Sequence, residues 1–174
     1  MRCLSVKAQT QGFTLVELLI TLSVVGIIMA WAIPSMGQLF ERGRVRGIGE
    51  EFGAVLSLAR SEAMMSNASV YVQITAGADW CWGIRDSATA CNCKAANSCT
   101  VRGQARQASV VQYSGITMNT GSFDMIFDSR GTVTATAPVE FQSGKTKGRV
   151  SISAVGRTRT CSDDLVGWLP LASC

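Results

Sequence analysis

The feature that most constrains this chain is an apolar run of 21 residues, Phe13 to Ile33, interrupted by a single charge at Glu17. As a helix rising roughly 1.5 Å per residue, such a run is about 31 Å long, enough to cross the hydrocarbon core of a bilayer. Residues 1–12 before it are polar and carry Arg2 and Lys7 without an acid, and Pro34 closes the strictly apolar part. A carboxylate at the centre of a membrane helix costs on the order of 2.5–3.5 kcal/mol, and less near an end. Glu17 lies four residues into the run and has no counter-ion within a lone helix. A cationic group on another chain, such as a free α-amino terminus, would supply one. Charge does not set the orientation: Arg2 and Lys7 on one side face Arg42, Arg44 and Arg46 on the other, a count that slightly opposes a leader-inside topology.

Beyond Pro34, apolar residues recur at Met36, Leu39, Phe40, Ile48, Phe52, Val55, Leu56, Ala59 and Ala63. That spacing predicts a helix continuing to about Met65 with one face against a core. Gly43, Gly47, Gly49 and Gly53 are expected to loosen it, each by up to about 1 kcal/mol relative to alanine. From Asn67 the period changes. Strands are predicted at 70–74, 80–85, 109–113, 115–118, 123–127, 132–136, 139–142 and 149–155, separated by glycine-bearing turns. Many short strands so spaced predict an antiparallel sandwich or meander.

The chain contains no histidine. Neither a Ser-His-Asp triad, a Cys-His dyad nor a histidine-ligated metal site can be assembled from it, which favours binding or assembly over catalysis. Cysteine usage points to export. Cys3 lies before the apolar run; Cys81, Cys91, Cys93, Cys99, Cys161 and Cys174 lie in the strand-rich part. An even set in a small exported domain reads as disulfides. Cys161 and Cys174 are placed to staple the C-terminal tail, closing a 14-residue loop worth ~3 kcal/mol in the chain-entropy model. Pairing among the other four stays open. A zinc site is the rival reading, but C-x9-C-x-C-x5-C lacks the paired short knuckles of such sites. No metal and no cofactor is expected, and Asp163-Asp164 reads as a solvated turn or helix cap.

Basic charge is uneven. From Gly144 to Thr160 there are five cations, Lys145, Lys147, Arg149, Arg157 and Arg159, and no acid. In extended chain, alternate residues share a face, so Lys145, Lys147 and Arg149 group together, as do Arg157 and Arg159. With a strand at 149–155, the two groups sit at its opposite ends. Arginine forks suit phosphate oxygens, and clustered cations bind nucleic acid by counterion release. The bland alternative is a solvated surface, with Trp168, the nearest aromatic, in the core.

Two motifs carry a family resemblance. Gly12-Phe13-Thr14-Leu15-Val16-Glu17-Leu18 resembles the class III signal of type IV pilins and type II secretion pseudopilins. Gly156-Arg157-Thr158-Arg159 resembles the Gly-Arg-x-Arg motif of FimT/FimU-type minor pilins, whose heads are similar to the pseudopilin GspH. The resemblance implies an α+β, pilin-like fold: a long N-terminal helix packed on an antiparallel β-sheet or sandwich head with disulfides. It divides the chain into a leader at 1–12, a helix at 13–66 (13–33 in the membrane and then the filament core) and a head at 67–174. It implies cleavage after Gly12 by prepilin peptidase, methylation of Phe13, pairing of Glu17 with a neighbouring subunit, and a helix kink at Pro34. Its implied partners are major and minor pilins, and DNA bound without sequence preference at Arg157 and Arg159, with Gly156 in the motif. Lys145, Lys147 and Arg149 join that set on charge alone. The implied location is the inner membrane, head in the periplasm, and then an extracellular pilus. Three alternatives stand: a GspH-like pseudopilin with no DNA role, a cut at Ala30-Trp31-Ala32 that releases a secreted protein, and a secreted disulfide-rich enzyme or binding protein.

Overall fold

A computed structural model of the chain describes residues 13–162 and 172–173, without the side chains of 31–35 and 172–173. The leader, Asp163-Asp164, Trp168 and Cys174 lie outside the described residues, as does the side chain of Pro34. The chain forms two compact units, divided between Gln38 and Leu39.

Helix α1 runs Leu15–Ser66. Thr14 caps its start, its Oγ1 accepting the Glu17 N–H at 3.2 Å, so Glu17 occupies the third position of the first turn, where a carboxylate also suits the helix dipole. The helix ends where Asn67 turns left-handed (φ 49°) and the Ala68 N–H reaches back to the Ala63 carbonyl at 3.3 Å, a Schellman closure. In the first unit, residues 15–30 are apolar apart from Glu17 and polar-neutral Thr21 and Ser23, and all are exposed. Among the described residues no helix is long and apolar enough to cross a membrane.

In the second unit, one stripe of α1 is buried: Val45, Ile48, Phe52, Leu56, Ala59 and Ala63. Steps of three and four keep these side chains on one face. The stripe includes Val45, which the sequence pattern does not single out among its arginines and glycines. Two sheets cover it. The first comprises β1 (Val70–Thr75), β2 (Cys81–Arg85), β5 (Gln107–Ser109), β7 (Phe123–Phe127) and β8 (Val133–Thr134), ordered β5-β2-β1-β7-β8. The second comprises β6 (Thr117–Met118), β9 (Val139–Ser143), β10 (Thr146–Ile152), β11 (Thr158–Ser162) and β12 (Ala172–Ser173), ordered β12-β11-β10-β9-β6. A small hairpin joins β3 (Thr100–Val101) to β4 (Gln104–Ala105). Pairing is antiparallel except between β11 and β12. Phe52 ties helix to both sheets, edge-on to Trp82 of β2 at 6.1 Å and to Phe141 of β9 at 5.7 Å. Such aromatic pairs add about 0.5–1.5 kcal/mol each beyond area burial.

Of the glycines expected to loosen α1, Gly49 has a packing role. The helix is unbroken through 43–53, and Gly49 sits against β11. A Cβ there would fall 2.9 Å from Thr160 Cγ2. Gly148 of β10 answers it from the other side: its added Cβ would lie 2.5 Å from Val45 Cγ1. On each element a glycine makes room for a side chain of the other.

The strand expectations need two corrections. Residues 110–113 form a turn after β5, closed by Gln112 N–H to the Ser109 carbonyl and Tyr113 N–H to the Val110 carbonyl. The predicted strand at 149–155 is shifted: β10 starts at Thr146 and ends at Ile152, and a turn follows.

Four cysteines form two crossed bridges, Cys81–Cys93 and Cys91–Cys99. They fold the 86–99 loop back over β2, burying Gly83 beneath it; a Cβ on Gly83 would fall on Cys99. This is why β2 is buried along its whole length rather than alternately. Cys161 is also disulfide-bonded.

Candidate nucleic-acid interface

Ten lysines and arginines lie between Arg85 and Arg159, and the fold sorts them. Arg85 is buried, hydrogen-bonded to Asp124 and stacked over the Tyr71 ring at 4.5 Å. Lys94 pairs with Asp79, Arg102 with Glu62, and Arg149 with Glu140 at 2.7 Å across the β9–β10 ladder. Among the described residues Arg106, Arg130, Lys145, Lys147, Arg157 and Arg159 are exposed and make no ion pair, Arg106 donating instead to Gln104 Oε1 at 3.0 Å.

Arg157 and Arg159 follow the turn between β10 and β11. Ser153 N–H bonds to the Arg157 carbonyl at 3.0 Å, Gly156 N–H to the Ser153 carbonyl at 2.8 Å, and Arg157 N–H to Ser153 Oγ at 3.1 Å. Gly156 is buried and left-handed (φ 73°), a conformation that side chains disfavour. A Cβ on it would lie 2.6 Å from the Gly131 carbonyl oxygen and 2.7 Å from Arg60 Cδ. The glycine of the Gly-Arg-x-Arg motif therefore seats the turn on α1 and on the neighbouring loop, and the two arginines project from a fixed backbone.

That neighbouring loop brings a cation the sequence reading did not select, Arg130. The Asp128 carboxylate accepts the Thr132 hydroxyl at 2.8 Å and the backbone N–H groups of Thr132 and Arg130 at 2.8 and 3.0 Å. The Thr132 hydroxyl, then these N–H groups and the Arg130 charge, hold its pKa below the ordinary carboxylate value. Asp128 is thus engaged in holding the turn in shape. Gly131 carries the crossing, its carbonyl accepting Arg60 Nε–H at 3.1 Å. Val133 N–H bonds to the Ala154 carbonyl at 3.0 Å, tying loop to turn. Arg130 is the neighbour of Gly131, as Arg157 is of Gly156. The only sequence sign of this would have been the shared Arg–Gly or Gly–Arg pairing at two turns.

Lys145 and Lys147 are elsewhere. Strand β10 travels along α1 in the same direction. Gly144 lies on Glu41, Gly148 on Val45, Val150 near Gly49, and Gly156 on Arg60. From Glu41 to Arg60 the helix rises roughly 29 Å, so Lys145 and Arg157 stand at opposite ends of the hairpin. Arg159 lies across from Ser151, on the same sheet face as Lys147 and Arg149. The expected placement at opposite strand ends therefore holds for Lys145 and Arg157, while Lys147 and Arg149 lie within β10 itself.

The chain matches the family described as "Type II transport protein GspH" over residues 49–156 and the prokaryotic N-terminal methylation motif over residues 7–33. The first match spans most of the chain, and the chain belongs to the GspH family of minor type IV pilins and pseudopilins, a structural rather than an enzymatic family. No curated protein matches it. Crystal structures of the Pseudomonas aeruginosa (strain PAO1) type IV minor pilin FimU are similar. One is 25% identical, covers 68% of this chain and 89% of its own, and has a TM-score of 0.48. A second, in another space group, is 23% identical, covers 66% and 90%, and has a TM-score of 0.43.

Proposed function

We propose that this chain is a minor pilin that is cut after Gly12, methylated on Phe13, held in the inner membrane by residues 13–33 and then built into a type IV pilus or its tip. The methylation motif supports the processing, and Glu17 at the exposed first turn of α1 is available to a neighbouring subunit's N-terminus. The described apolar part of α1, 15–30, is roughly 24 Å long, and Trp31, Ala32 and Ile33 extend it in sequence. In the pilus the head binds extracellular DNA without sequence preference, as a step in DNA uptake. The observation that carries this reading is the Gly156 turn, which fixes Arg157 and Arg159 outward with no acid paired to either among the described residues. Phosphate oxygens are the partners such forks fit.

The test is DNA capture by sheared pili. Pili assembled with Arg157→Ala/Arg159→Ala should be as abundant as wild type and retain less duplex DNA, to the same degree for unrelated sequences. Absence of salt-sensitive DNA affinity in the wild-type head would favour a GspH-like pseudopilin with a structural role.

A further inference from the structure

The helix–hairpin register places Lys145 at the opposite end of the β10–β11 hairpin from Arg157, with Lys147 two residues on, at the start of β10. There the Lys145 N–H points to the Glu41 carboxylate at 3.4 Å, and Gly144 is left-handed (φ 56°) so that the turn can lie on that carboxylate. Glu41 and Arg42 are half-buried at this point, and the exposed Arg44 reaches Gly115, whose added Cβ would meet its Nη1 at 2.9 Å. Among the described residues none of Arg42, Arg44, Lys145 and Lys147 makes an ion pair, and Glu41 is occupied by the turn's N–H. Arg46, by contrast, is paired with Glu50 at 2.6 Å.

Position along the chain says what these four cations meet. Arg42 and Arg44 follow Ile33, the last residue of the apolar run, by nine and eleven residues. Basic residues that close in sequence to a membrane-inserted segment are drawn to anionic headgroups. Lysine is the better residue here. A compact ammonium on a flexible stem follows mobile headgroups, whereas the fixed turn at the far end carries arginine forks.

We propose that Lys145 and Lys147, with Arg42 and Arg44, form a basic collar that engages anionic phospholipid headgroups while the subunit waits in the membrane. This rests on the membrane-anchored reading above. It reassigns the two lysines from DNA to lipid and gives the head two phosphate-binding ends with different partners.

The sequence supplies its own probe. After leader removal the chain has three lysines, Lys94, Lys145 and Lys147. Full-length protein is reconstituted into vesicles of phosphatidylcholine alone or with phosphatidylglycerol, and amine acetylation is read by mass spectrometry. Flotation first reports whether the chain is anchored; failure there overturns the anchored reading itself. In floated protein, Lys145 and Lys147 should be acetylated about fivefold more slowly with phosphatidylglycerol than without, Lys94 equally in both, and high salt should abolish the difference. Equal rates at all three lysines in both vesicles would overturn the collar while leaving the anchor intact. So would protection of Lys145 and Lys147 that arises only on adding duplex DNA, which would return them to the nucleic-acid surface. Lys145→Arg/Lys147→Arg, which keeps the charge, should retain the head's lipid-dependent protection from proteolysis; Lys145→Ala/Lys147→Ala should lose it.

Discussion

Gly156 decides the shape of the turn that carries Arg157 and Arg159. Its left-handed backbone and the 2.6 Å approach a Cβ would make to the Gly131 carbonyl oxygen leave no room for a side chain. Gly156→Ala should destabilise the fold by about 2 kcal/mol, read by urea denaturation. It should also weaken DNA binding although Arg157 and Arg159 are intact. Asp128 governs the adjoining loop through its hydrogen bonds to Thr132 and Arg130. Its folded pKa is lowered, so the stability it contributes is present above the ordinary carboxylate value near 4 and is lost as pH falls through the folded value. Thermal unfolding of the wild type should therefore lose more stability between about pH 5 and pH 3 than that of Asp128→Asn. The arginine motif was legible in sequence. The need for its glycine was not, because the atoms that demand it belong to Gly131 and Arg60, far away in the chain.

At the scale of elements, periodicity told most of the story. The helix and strands β1, β7 and β9 follow from spacing, because each buries a regular face; β2 is buried along its whole length instead. The failures have physical causes. Residues 110–113 are rich in β-formers (Val110, Val111, Tyr113), yet the chain must turn there, and Val111 is left exposed. β11, Thr158-Arg159-Thr160-Cys161-Ser162, carries no alternating apolar set and is held by its ladder to β10. Cysteine connectivity depended on how the 86–99 loop folds over β2, which no spacing specifies. Propensity sees only the helix, so the packing reason for Gly49, which lies on β11, was not legible. Gly49→Val should destabilise the head markedly, by at least ~2 kcal/mol, through overpacking against Thr160. Gly43→Ala, which meets nothing within 4 Å, should be neutral or stabilising by up to about 1 kcal/mol. Thermal melts of the two variants check the contrast.

At the scale of the molecule, the chain joins an apolar N-terminal stretch to a long helix and a β-rich head. The proposed processing fixes where the mature chain starts. The mature subunit should begin with methylated Phe13 in an intact-mass measurement; a chain beginning at Ile33 would mean secretory cleavage and a released protein. Assembly should depend on Glu17, so that Glu17→Gln enters pili poorly while the head remains folded. The claim on which the functional account turns is that Arg157 and Arg159 each neutralise a DNA phosphate. It is tested most directly by the salt dependence of duplex binding, log Kobs against log salt concentration, for wild type and for Arg157→Ala/Arg159→Ala. Two lost phosphate contacts should flatten the slope by about 1.8, on every sequence tried. Identical slopes for the two proteins would contradict the account.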